Sequence, residues 1–232
     1  MSGSPAIEAF LDSWMVDSGE FPELHVGQDA ELSLCARVRA LDGVGEVPDS
    51  ATNHPGARTR AIEGVVTWVH QDDERLHLVV QHAGTLLAAH PAVFQGPRRT
   101  TWRDRLSGHR GIPEFLPVRL PAPAIGQVVT LECTISVLAE YELAEMWPGP
   151  EVSARYRIES IDAELITPQP LPTGADEFDD VVAAASRTVT GLSSTRPPPG
   201  LVELEVTDDG GFNGGEEVSN YRFLLTPVDP LS

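Results

Sequence analysis

The sequence predicts a mostly β protein made of two related small β units, barrel- or sandwich-like, with short peripheral α-helices. Three observations predict it: long stretches in which apolar and polar residues alternate, a weak repeat of one such stretch, and an apolar stripe at helical spacing towards each end. At 232 residues the chain has room for one large β domain or two small ones.

Ser4 followed by Pro5 is a helix-start signal, and Ile7, Phe10, Leu11 and Trp14 then fall at i, i+3, i+4 and i+7. The spacing predicts a short amphipathic helix that docks on the sheet. From Gly27 the period changes to two. Leu32, Leu34, Ala36 and Val38 share one face of a strand, and Ser33, Cys35 and Arg37 share the other. Residues 62–70 and 75–82 flank the polar Gln71-Asp72-Asp73-Glu74 and read as a hairpin. Pairing Val69 with Leu76, Thr67 with Leu78 and Val65 with Val80 places the apolar side chains on one face.

The repeat begins at Gly27-Gln28 and recurs at Gly126-Gln127, 99 residues later. Leu32, Leu34, Ala36 and Val38 correspond to Leu131, Cys133, Ile135 and Val137, so the same face is buried in both copies. Ile62-Glu63 resembles Ile158-Glu159 at an offset of 96, which requires a loop of different length between the matched parts. The expected organisation is a helix and first β unit in 1–90, a basic connection in 91–120, a second β unit in 121–166, and Pro-rich linkers with a helix and a hairpin in 167–232. In that last part Phe178, Val181, Val182 and Ala185 form the second helical stripe, and residues 201–206 and 221–225 alternate like two strands.

The formal net charge is −19, which repels phosphate backbones and makes nucleic acid an unlikely main partner. The same charge favours a basic protein partner. All 16 basic residues are arginine, a compositional habit of GC-rich bacterial genomes. No apolar run approaches the ~20 residues needed to span a bilayer, and residues 1–10 lack signal-peptide character, so the expected location is cytoplasmic, with no membrane partner.

One segment opposes the global charge. Between residues 91 and 119 six arginines face only Asp104 and Glu114, a local excess of four positive charges, with Phe94, Trp102, His109 and Phe115 interleaved. Arginine beside aromatic rings is the composition of interface hot spots and of phosphate contacts. The expected ligand or partner surface is therefore Arg98, Arg99, Trp102, Arg103, Arg105, His109 and Arg110.

Other constellations fall short of a site. His70, His77, His82 and His90 lie within 21 residues, but strand alternation puts only His70 and His77 on one face, too few for zinc. Cys133 belongs to the apolar face of its strand and Cys35 to the polar face, where it would be partly exposed. An EF-hand count from Asp209 fails at Gly211 and at Asn220, which stands where the bidentate acid belongs. Asp72-Asp73-Glu74 reads as a solvated hairpin tip, and no phosphate loop, serine elbow or His-Glu-x-x-His motif is present.

No cofactor and no metal are expected. The function expected is a non-enzymatic binding or adaptor protein, an inhibitor or immunity-type partner of a basic protein. The alternatives are an enzyme acting on a small anionic ligand near the basic segment, and a nucleic-acid-binding β-barrel.

Overall fold

Alternating apolar residues make strands of most of the described residues. The computed structural model describes residues 5–42, 59–71, 76–91, 95–96, 116–117, 122–138, 147–168, 183–198, 201 and 215–229. Strand β1 (Ile7–Asp12) runs directly into helix α1 (Ser13–Asp17), and β2 (Asp29–Leu41) follows. Next come β3 (Arg60–Gln71), β4 (Leu76–His82) and β5 (Thr85–Pro91), then a two-residue ladder of β6 (Gln95–Gly96) with β7 (Leu116–Pro117). The described chain is completed by β8 (Val128–Val137), β9 (Ser153–Pro168), β10 (Ala183–Leu192) and β11 (Glu217–Pro227).

Nine strands form one sheet in the order β10-β9-β11-β1-β8-β2-β5-β4-β3. Two long strands organise it. β2 pairs antiparallel with β9 through its first half and with β8 through its second, and it also runs parallel to β5. β8 pairs in turn with β3 and meets β1 in parallel at Phe10↔Ser136. These pairings close two rings, β2-β5-β4-β3-β8 and β8-β1-β11-β9-β2, which share the β2–β8 ladder. β10 lies outside both rings on the flank of β9.

The side chains expected inside are inside. Leu32, Leu34, Ala36 and Val38 of β2, with Leu131, Cys133, Ile135 and Val137 of β8, are all buried. They join Val66, Leu78, Tyr156, Ile161 and Phe223 in one continuous core. At about 25 cal/mol per Å² of apolar surface, this shared burial is the main force holding the two rings together.

Each central strand is entered through the same turn. Gly27 and Gly126 have φ of +82° and +86°, a left-handed conformation that costs an L residue about 1–2 kcal/mol. In each turn the glutamine that follows bonds back to the residue three before it. Gln28 Oε1 accepts from the His25 amide at 3.0 Å, and Gln127 Oε1 accepts from the Ala124 amide at 3.0 Å. The Gly27 amide donates to the Ile158 carbonyl and the Gly126 amide to the Val66 carbonyl. The amides of Ile158 and Val66 donate back to the carbonyls of Gln28 and Gln127.

Four expectations change. The N-terminal stripe is a strand: only Ser13–Asp17 is helical, while Ile7 to Asp12 pair in register with Leu225 to Asn220. Ile7, Ala9 and Leu11 alternate into the core, and Phe10 is buried on the opposite face, so the four-residue stripe concealed a strand covered on both sides. In the β3–β4 hairpin Val69 opposes Leu78 and His70 opposes His77, two residues beyond the expected register. A β-bulge between Val66 and Trp68 then reverses the parity, so that Val66 faces inward and Val65 outward. Gly64 explains the choice: a Cβ there would lie 2.2 Å from Val80 Cγ1, so this strand approaches its neighbour too closely for any side chain.

The third change concerns the matched part of the repeat, where Val66 rather than Ile62 takes the place corresponding to Ile158. The fourth is at the C-terminal end: Tyr221 to Leu225 join the main sheet as expected, but with β9 and β1 on their two edges rather than the strand expected in 201–206, of which 202–206 lie outside the described residues. Phe178, Val181 and Val182 of the second helical stripe lie outside the described residues, and Ala185 belongs to β10.

Candidate functional site

The arginine-rich surface, Arg98, Arg99, Trp102, Arg103, Arg105, His109 and Arg110, lies outside the described residues, as does Asp72-Asp73-Glu74. Of the calcium-like stretch only Gly215, Glu216 and Glu217 are described. Glu216 is engaged by the Arg187 guanidinium through bonds of 2.6 and 2.5 Å, which hold its carboxyl below the usual range.

His70 and His77 do share one face of the β3–β4 ladder, with ring centroids 6.2 Å apart. The strand alternation within β4 puts His82 on the other side, where its Nδ1 lies 2.8 Å from the Glu63 carbonyl. His70 also stacks on Trp68 at 5.8 Å, and Trp147 closes the group at 5.7 Å from Trp68 and 6.0 Å from His77. Among the described residues no group of three or more His, Cys, Asp or Glu side chains is placed to hold a metal.

Trp147 reaches this face because residues 147–152 lie across it as a strap. The Trp147 Nε1–H donates to the Pro150 carbonyl at 2.8 Å, folding Trp147-Pro148-Gly149-Pro150 back on itself. Gly149 is required there, since a Cβ would lie 2.5 Å from the Trp147 ring and 3.0 Å from Trp68. Beneath the strap a second small core gathers Cys35, Val79, Ala88, Leu138, Trp147 and Val152. Cys35 is therefore buried, contrary to the partial exposure expected from its place on the polar face. Alternation along β2 identifies the face but carries no sign of what covers it.

The strap also forms one wall of an open groove of about 1000 Å³. Leu24, Ala30, Leu32, Leu138, Trp147 and Val152 supply apolar surface. Glu20, Asp29, Glu31 and Glu151 line the same groove. Asp29 is paired with Arg157 at 2.5 Å, and Glu31 accepts a hydrogen bond from Ser153 Oγ at 3.1 Å. Among the described residues the charged side chains lining the groove are all carboxylates, one of them neutralised by Arg157. Sequence inspection missed the groove because Glu20, Asp29 and Glu31, though within twelve residues, belong to different parts of the fold, and Glu151 joins them only when β2 pairs with β9.

A smaller cleft runs beside Trp14, Asp17, Glu217 and Tyr221. Burial, and secondarily the Asp17 charge, raise the Glu217 carboxyl and push the Tyr221 phenol up to about 12. Burial, reinforced by Cys35 and opposed by Arg60, also pushes the Cys133 thiol up to about 12. Both acids are neutral when folded and ionise more readily once unfolded, so their contribution is complete below pH ~9 and is lost as pH rises towards 12. Urea midpoints measured from pH 8 to 11 are expected to fall over that window. Replacing Cys133 with alanine should shallow the fall, and an unchanged slope would remove the thiol from this account.

Compared with protein-family models, with curated proteins and with solved structures, the chain matches none. Among the described residues no helix is long and apolar enough to cross a membrane.

Proposed function

We propose that the protein is a non-enzymatic binding or adaptor protein that holds a basic segment of a partner protein in the groove between β2 and the 147–152 strap. The observation that carries this reading is the combination of an apolar lining with four carboxylates in one groove. A segment alternating arginine or lysine with aliphatic residues matches both features, the aliphatic groups entering the apolar lining and the cations meeting the acids. Apolar contact would add to the affinity, while charge would supply encounter rate and selection of partner. The net charge of −19 draws a basic protein to this surface before contact.

The test is a fluorescence-anisotropy titration with a labelled peptide of alternating Arg and Leu, beside a control with Glu in place of Arg. The expected result is saturable binding of the basic peptide alone, tightest at low ionic strength and weakening as the screening length contracts from about 30 Å at 0.01 M salt to about 8 Å at 0.15 M. Absence of binding at low salt would end the proposal. The residues on which an enzymatic or nucleic-acid reading depends lie in 91–119, and no described residue favours either.

A further inference from the structure

We infer that the chain is a fused pseudo-dimer: two equivalent four-stranded units, one of β2, β3, β4 and β5 and the other of β8, β9, β11 and β1, each completing its ring with the first strand of the other. This goes beyond the binding reading and does not depend on it. The centre is the β2–β8 ladder, where Ala36 lies opposite Ile135. A two-fold axis through that pair exchanges Leu34 with Cys133 and Val38 with Val137, and so turns the pair Leu34↔Val137 into the pair Val38↔Cys133, which is also present.

Four further features obey the same exchange. The turns at Gly27 and Gly126 have matching hydrogen bonds, which sets Ile158 of β9 in the place of Val66 of β3. Val66 pairs with Val80, and Ile158 pairs with Leu225, so β11 corresponds to β4. The irregularity recurs at the same point: the next pairs are Trp68↔Val79 and Ser160↔Leu224, leaving Thr67 and Glu159 as the extra residues. Val80 then pairs with Leu87, and Leu225 with Ile7, so β1 corresponds to β5.

Those correspondences leave nothing adjustable for the last contact. In the first unit β2 and β5 run parallel with Arg37 opposite His90. The exchange requires Ser136 opposite Phe10, and that parallel bridge is the one by which β8 meets β1. Strands that merely fill space slip in register by steps of two, so agreement of five pairings, one bulge and one parallel contact calls for a common plan. The second unit is permuted: β5 follows β4 through the tight turn at Ala83 and Gly84, whereas the strand beside β11 comes from the opposite part of the chain. Among the described residues β10 has no counterpart. The surface that joins the units is thus one for which the fitting partner is a second copy of the unit, provided here by the same polypeptide.

The test exchanges the two side chains on the axis. Ile135→Ala alone should lower Tm by roughly 5–15 °C through the cavity it leaves, and Ala36→Ile alone should lower it through overpacking. If the positions are equivalent, the double variant A36I/I135A presents the same pair with the units exchanged and should melt within ~3 °C of the parent. A double variant as unstable as the two losses added would overturn the equivalence. Should a single variant fail to fold, the double variant against the parent still decides.

Discussion

Replacing Phe223 with alanine is expected to cost about 3–5 kcal/mol of folding stability, the largest loss from any single truncation considered for this chain. Phe223 is fully buried in the middle of β11, directly paired with Ala9 of β1 on one side and Ile161 of β9 on the other. Alanine at position 9 leaves space that the phenyl ring occupies, so neighbouring side chains have little freedom to refill the cavity. For a chain of this size the loss corresponds to a Tm lower by roughly 6–20 °C. Leu224 is the internal control, because it is the next residue, has comparable apolar bulk, and is 38% exposed on the outer face. Leu224→Ala should cost less than ~1 kcal/mol. Urea unfolding of both variants, with unchanged m-values, would test the contrast; equal losses would mean that the inward face of this strand has been misassigned.

The same alternation shows how much of the fold could be read beforehand. Polar and apolar residues alternate cleanly along β2 and β8, and the glycine that opens each strand is required by a left-handed turn, so both strands and their burial were legible. Legibility fails where one pattern serves two structures. Ile7, Phe10 and Leu11 satisfy a helical stripe, yet they form a strand because β11 and β8 offer ladder partners at its two edges, and those strands are more than a hundred residues away. The hairpin register failed for a local reason, since a bulge changes which residues face inward without changing composition.

The site was less legible than the fold. Its apolar surface comes partly from the strap, whose course depends on Gly149 fitting beneath two indole rings, and Glu151 joins Asp29 and Glu31 only through the pairing of β2 with β9. Local charge counting drew attention instead to the arginines of 91–119, the segment with the opposite sign. The proposed pseudo-symmetry was half legible: the turn and the inward residues repeat in sequence, but a permuted strand order cannot appear as a repeat at constant offset.

Neutralising Glu20, Glu31 and Glu151 together to glutamine is expected to weaken binding of the Arg-Leu peptide by roughly 3- to 150-fold. The estimate follows from exposed charge contacts worth about 0.2–1 kcal/mol each, three of which sum to about 0.6–3 kcal/mol, with 1.4 kcal/mol per tenfold in affinity. Asp29 is left in place because it already pairs with Arg157, and removing it would strand that guanidinium. Long-range attraction must be separated from contact in the groove, since a chain of charge −19 attracts any cation. Glu63, Glu132 and Glu159 provide the separation: they are exposed, do not line the groove, and their triple change to glutamine alters net charge by the same amount. If the groove is the site, the first triple variant loses affinity through faster dissociation while the second changes mainly the association rate and its salt dependence. Equal losses in both would place the attraction in the field of the whole protein and leave the groove without a role.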